Sequence, residues 1–216
     1  MAVSGHADGR TINVRIMKVC MFGNFFRLVT IGVAVISLSS PLRVHGSTSP
    51  SNEAVMLNGR ALKHIGTGLR EYLFLDIYTL DAYSESGACA PKRIVYDSEA
   101  KLVRFTMRRH VPIGYLWWQV KEAFKQNMPS GEADASKLEQ KITSFLYLFK
   151  NDLPEGTTVE IAYVPGKGST VTENGRALGP PIPGRDFQEL AWRSFFFGGD
   201  ACCEKMIIDQ CSRAVR

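Results

Sequence analysis

One arginine in this chain has a setting that suggests chemistry. Arg70 follows Gly66 and Gly68, whose lack of a side chain permits tight backbone geometry, and leads into a run of strand-forming residues, Tyr72, Phe74, Ile77, Tyr78 and Tyr83. A guanidinium at the mouth of such a strand is costly to bury unless an anion meets it. It could hold a carboxylate through two parallel hydrogen bonds, or stabilise negative charge that develops during a reaction. The plainer alternative is a half-exposed arginine paired with a neighbouring carboxylate such as Glu71.

Other chemistries find less support. Beyond the amino-terminal stretch the only histidines are His64 and His110, in separate strands and without ligand spacing, so no metal site is expected. Gly166-Lys167-Gly168-Ser169 superficially resembles a phosphate loop, but it lacks the G-x-x-x-x-G-K-[ST] pattern and joins two strands instead of opening a helix. No G-x-S-x-G elbow or cysteine–histidine pairing points to a nucleophile, and no cofactor is implied. Tyr115, Trp117 and Trp118 on one helix could line an apolar pocket or belong to an ordinary core. Trp118 lies off the main apolar stripe, so it is expected to be exposed or part of a second contact surface. Phe195-Phe196-Phe197 must be deeply buried or face a cavity.

The first 46 residues differ from the rest. A basic region from Met17-Lys18 to Arg27 precedes an apolar run of about 11 residues, Leu28 to Leu38, and small residues up to Val44-His45-Gly46, the order of a secretory signal. The run is shorter than the ~20 residues that span a bilayer, an uncleaved anchor being the alternative. Met1 and Met17 are both candidate starts. This stretch carries five basic residues against Asp8, so only +1 of the formal +5 charge belongs to residues 47–216. The basic pI therefore reports the leader, and no nucleic-acid surface is expected. Cys89, Cys202, Cys203 and Cys211 would remain in an oxidising periplasmic or extracellular compartment, where one or two bridges of undetermined pairing could form.

After a linker over 47–54, residues 55–216 read as one domain. Asn58-Gly59 predicts a hairpin within Val55 to Lys63, and the Arg70 segment reads as one long bent strand or two strands. Lys92 to Tyr96 and Lys101 to Val111 read as strands, the second with Val103, Phe105 and Met107 alternating against Arg104, Thr106 and Arg108. Pro112 opens a helix to about Asn127 in which Leu116, Val120 and Phe124 recur at helical spacing. Ser136 caps a second helix lined by Leu138, Ile142, Phe145, Leu146 and Phe149. Thr157 to Val164, Ser169 to Thr172 and the Asn174-Gly175 turn form a meander. A third helix, capped by Asp186, ends at Gly198-Gly199, and a last one runs from about Asp200 to Ser212. This order predicts an α+β fold, an antiparallel sheet packed on helices.

Several segments, in this order, resemble the chalcone isomerase-like family across roughly residues 55–212. They are the glycine-rich lead-in to Arg70, the strand ending at Tyr83, the Arg104-Phe105-Thr106-Met107 strand with its helix, the Lys167-Gly168-Ser169 hairpin, and Pro181-Ile182-Pro183-Gly184-Arg185-Asp186-Phe187. The likeness looks closest to a bacterial secreted branch. It implies an open-faced β-sandwich with a ligand cleft between sheet and helices. In plant chalcone isomerases the arginine matching Arg70 stabilises charge as a phenolate closes on an enone; fatty-acid-binding relatives use it to hold a carboxylate. The plant threonine falls at Tyr78, and the plant tyrosine and asparagine fall near Leu116 and Ala123, with Tyr115 one residue away. The resemblance therefore implies a non-catalytic binder of an amphipathic, fatty-acid-like carboxylate held by Arg70, Tyr78, Tyr115 and Leu116. The alternative is an intramolecular lyase with Arg70 as electrostatic catalyst and Tyr78 or Tyr115 as hydrogen-bonding group.

Overall fold

A computed structural model describes residues 54–196 and Ile207, apart from the side chains of residues 132–134. Seven antiparallel strands form one sheet in sequence order. They are β1 (Val55–Leu57), β2 (Arg60–Tyr72), β3 (Leu75–Ser84), β4 (Lys101–Met107), β5 (Thr158–Val164), β6 (Gly168–Glu173) and β7 (Arg176–Ala177). Four helices are α1 (Pro91–Tyr96), α2 (Ile113–Asn127), α3 (Glu132–Leu146) and α4 (Arg185–Phe196). Every neighbouring strand pair is sequential, so short turns suffice for most connections, and the helices enter in the longer gaps. The α+β sheet-on-helix architecture matches the sequence expectation.

Asn58 and Gly59 take φ values of 50° and 78°, the two positive values that a two-residue hairpin turn requires. The Arg70 segment is two strands, not one. Their turn repeats this geometry with Leu73 and Phe74, at φ 49° and 66°, although neither residue favours it; left-handed backbone costs a side-chain-bearing residue about 1–2 kcal/mol.

Strand alternation sorts the two faces of the sheet. Val103, Phe105 and Met107 of β4 and Val159, Ile161 and Tyr163 of β5 are buried on the helix side. Phe124 of α2, Phe145 of α3 and Phe187 of α4 meet with centroid separations of 5.8, 6.0 and 5.7 Å. Burying rings of this kind stabilises by roughly 1.5–3 kcal/mol each, so this node fastens the three helices over the sheet.

Three local expectations are corrected. Lys92 to Tyr96 is helical because Pro91 suits a first helical turn and because the rotation buries Ile94 and Val95; tertiary packing overrides their β-branched preference. Lys101 then closes the helix, its ammonium donating to the carbonyls of Ile94 and Asp97 at 2.8 Å each. Ser136 lies inside α3, whose N-cap is Gly131. Asp186 lies in the first turn of α4, and its carboxylate receives Lys141 of α3 at 2.6 Å instead of capping. The glycine pair at 198–199 and the last expected helix, apart from helical Ile207, lie outside the described residues.

Gly168 has a packing reason. A Cβ there would collide with the Ile182 carbonyl, which accepts the Ser169 N–H at 2.8 Å. The glycine-rich loop is thus a hairpin turn beneath the approach to α4, as its position between two strands suggested.

Candidate functional site

Between sheet and helices lies a cavity of about 120 Å3. Its sheet wall includes Arg70 of β2, Tyr78 and Leu80 of β3, and Phe105 of β4; α2 contributes Tyr115, Leu116, Gln119 and Ala123, and Phe195 comes from α4. Arg70 is the one charged residue among the described lining residues. Arg70, Tyr78, Tyr115 and Leu116, separated by up to 46 positions in sequence, are thus brought to one cavity.

The strand register explains how. Arg70 pairs with Tyr78 and Gly68 with Leu80, so Arg70 shares the inner face with β3 residues known to be apolar or aromatic. Beyond Arg70 the register shifts, since Glu71 pairs with Asp76. The shift leaves Ile77 as an extra residue on β3, a bulge, and both Ile77 and Tyr78 reach the cavity. Tyr78 meets Phe105 edge-on at 5.2 Å, and Phe105 meets Phe195 at 5.3 Å. These contacts form an aromatic wall opposite α2.

The α2 wall is positioned from outside the helix. Asp152 accepts the Ile113 N–H at 2.9 Å, so a carboxylate 39 residues away occupies the positive end of the helix. The Gln119 amide donates to the Tyr115 hydroxyl at 2.9 Å, which leaves that hydroxyl's proton available to a ligand. Ser194 also lines the cavity, but its hydroxyl donates to the Leu190 carbonyl at 2.8 Å. Leu116 and Ala123 are plain apolar wall, and Ala123 was not among the residues first singled out as ligand-binding. Gln119 was also missed, because only the helix packing shows which helical residues face the sheet, whereas Phe195 takes the cavity-facing placement that was one of the two expected for its run.

Other sequence features fall elsewhere. Arg108 is exposed, and Arg185 pairs with Glu189 at 2.7 Å; neither lines the cavity. Trp118 is exposed, as its position off the apolar stripe predicts, while Phe196 is buried and Phe197 lies outside the described residues. His110 approaches Asp152 at 3.2 Å. Among the described residues no cluster of three metal-ligating side chains occurs.

A second polar cluster occupies the opposite face of the sheet. His64 Nε2 lies 3.4 Å from Asp81 Oδ1 and 3.3 Å from Thr67 Oγ1, and Thr67 donates to the same Asp81 oxygen. The register shift between His64 and Gly66 lets two residues three apart share a face. A hydroxyl–imidazole–carboxylate relay uses both ring nitrogens in series; here a single nitrogen meets both partners, so the arrangement is a structural network. Burial pushes the Asp81 carboxyl up, but hydrogen bonds from His64 and Thr67 with the nearby Arg104 charge leave it below the usual carboxylate range.

These features define a class: an antiparallel sheet covered on one face by helices, enclosing a largely apolar cavity lined by one arginine. The chalcone isomerase-like family profile matches residues 43–204, and the chain belongs to that family. Among solved structures, the fatty-acid binding protein AtFAP1 of Arabidopsis thaliana aligns with a TM-score of 0.54 at 15% identity, covering 76% of this chain and 100% of its own. No curated protein sequence matches.

Proposed function

We propose that this domain is a non-catalytic binder of an amphipathic anionic ligand, a fatty-acid-like carboxylate, with Arg70 holding the head group. The observation that carries this reading is the chemistry of the cavity: one guanidinium in a wall otherwise dominated by aromatic and aliphatic side chains. A guanidinium keeps its charge and presents a planar fork that fits a carboxylate. Tyr78 and the Gln119-supported Tyr115 line the same cavity and would bring phenol groups to the ligand. The apolar walls favour the tail at about 0.8 kcal/mol per buried methylene. An engineered apolar cavity of roughly 150 Å3 takes up benzene, so 120 Å3 suits a ring or a few methylenes. A longer tail must extend through the mouth or displace a side chain such as Phe195. The neighbouring fold of a protein named for fatty-acid binding is consistent with this reading.

Export accompanies the proposal. The signal-like order of residues 17–46 supports it, and Cys89 is disulfide-bonded, as suits an oxidising compartment. Every other cysteine lies outside the described residues.

The test is displacement of a fluorescent fatty acid. Arg70→Ala should weaken carboxylate binding at least about tenfold, given about 1.5–3 kcal/mol for a charged hydrogen bond, while Arg70→Lys restores part of it. Unchanged binding in Arg70→Ala overturns the reading. The hydroxyls of Tyr78 and Tyr115 keep a second reading in view, an intramolecular lyase acting on an enone. Loss of chalcone absorbance on adding protein supports it, and no turnover across a panel of enones counts against it.

A further inference from the structure

The hairpin tip beside the cavity is the most exposed apolar feature among the described residues. Phe74 is 99% exposed and Leu73 69%, with Tyr72 and Leu75 about half exposed on either side. Two helix aromatics stand behind them: Tyr115 lies 6.4 Å from Tyr72 and 5.9 Å from Trp118 between ring centroids. Tyr115 also lines the cavity, so the apolar tip is continuous with the cavity wall.

We propose that this tip is a lipid-docking wedge, which seats the cavity mouth on the surface of a bilayer. Leu73 and Phe74 would enter the acyl region, while Tyr72, Tyr115 and Trp118 sit at headgroup level, where amphipathic rings concentrate. The shape favours a bilayer over a protein partner. A projecting pair of side chains penetrates a fluid phase, whereas a stable protein interface needs roughly 800 Å2 on each partner. Charge does not oppose this: Glu71 and Asp76 flank the tip and are balanced by Arg108 and Arg109, which follow β4 at the same end of the sheet, where Arg109 donates to the Asp76 carbonyl at 2.7 Å. The exposed Arg108 can meet a lipid phosphate behind the wedge. The proposal rests on the carboxylate-binding reading in one respect: a ligand that partitions into bilayers gives the mouth a reason to face one.

Tryptophan emission tests this in the full chain. All three tryptophans, Trp117, Trp118 and Trp192, lie in the domain, so residues 1–46 contribute no signal. Vesicles of phosphatidylcholine and phosphatidylglycerol, with bromine on the phosphatidylcholine chains, should quench the emission at least about twofold, and Trp118→Phe should remove most of the quenched component. Leu73→Asn/Phe74→Gly, which keeps a favourable two-residue turn, should weaken the quenching at least about fivefold. Absence of quenching, or equal quenching in the turn variant, overturns the proposal, including in favour of a protein partner. Fatty-acid displacement in vesicle-free buffer separates the two readings. Binding without quenching removes the docking and leaves the cavity reading intact; quenching without binding does the reverse.

Discussion

Arg70 of β2 stands directly opposite Tyr78 of β3, and both side chains line the same cavity. The pairing places a permanent cation and a phenol on adjacent strands, and the bulge beside it holds the register. Tyr78→Phe should weaken carboxylate binding by about 1 kcal/mol, and Arg70→Ala by more. If one head group engages both, the double variant loses less than the sum of the two, by about 0.5 kcal/mol or more. Additive losses in displacement titrations would show that the two residues act on separate parts of the ligand. A methyl ester should bind the parent and Arg70→Ala equally.

Cavity size gives a second prediction. Leu116→Phe adds bulk to the α2 wall, and Phe195→Ala removes an aromatic from the opposite side. The first should weaken binding of every tail at least about tenfold while shifting Tm only a few degrees, because it fills empty space. The second should favour longer tails over shorter ones relative to the parent, as freed volume accepts further methylenes. A chain-length series read by displacement checks both.

Lys101 makes stability depend on pH. Its side chain is 1% exposed, and burial lowers its pKa from 10.5 to about 8, against the nearby charges of Glu99 and Asp97. The unfolded chain therefore binds more proton than the folded one between about pH 8 and 10.5, and the Lys101 contribution to stability rises across that window. It is fully present above the upper limit and is lost as pH falls through the lower. Lys101→Met orphans the carbonyls at the end of α1, so it should destabilise by about 1–3 kcal/mol at and below pH 8 and by more above it. The gap to the parent should widen from pH 8 to 10 by at most about 1.4 kcal/mol per unit. Urea unfolding across that range measures it, and a constant gap refutes it.

The sheet was the more legible part of this molecule because its signals are local. Asn58-Gly59 names its own turn, and the alternation around Val103, Phe105 and Met107 declares which face is buried. The architecture also followed from segment order. Misreadings arose where distant partners decide. Ile94 and Val95 favour a strand in isolation but are wound into a helix by packing and by Lys101. The start of α2 at Pro112 was legible, but the Asp152 carboxylate that serves its N-terminus lies outside any local capping pattern. Arg70, Tyr78, Tyr115 and Leu116 could be named from sequence and resemblance, Ala123 from the resemblance alone, and Phe195 as one of two placements open to its phenylalanine run, but Gln119 becomes visible only once α2 is laid on the sheet.

The least legible element is the turn at Leu73 and Phe74, because nothing in its composition suits positive φ. Glycine, asparagine and aspartate favour such positions, yet here a leucine and a phenylalanine occupy both, at 49° and 66°. They gain little in return from burial, since Phe74 is 99% exposed. Replacing them with Asn and Gly should relieve about 1–2 kcal/mol per residue of backbone cost, partly offset by the greater freedom of glycine in the unfolded chain. A net gain of about 1–2 kcal/mol would raise Tm by about 2–4 °C per kcal/mol. The same substitution that removes lipid contact is thus expected to stabilise the domain. A variant that melts below the parent would mean that the Leu73 and Phe74 side chains support the fold.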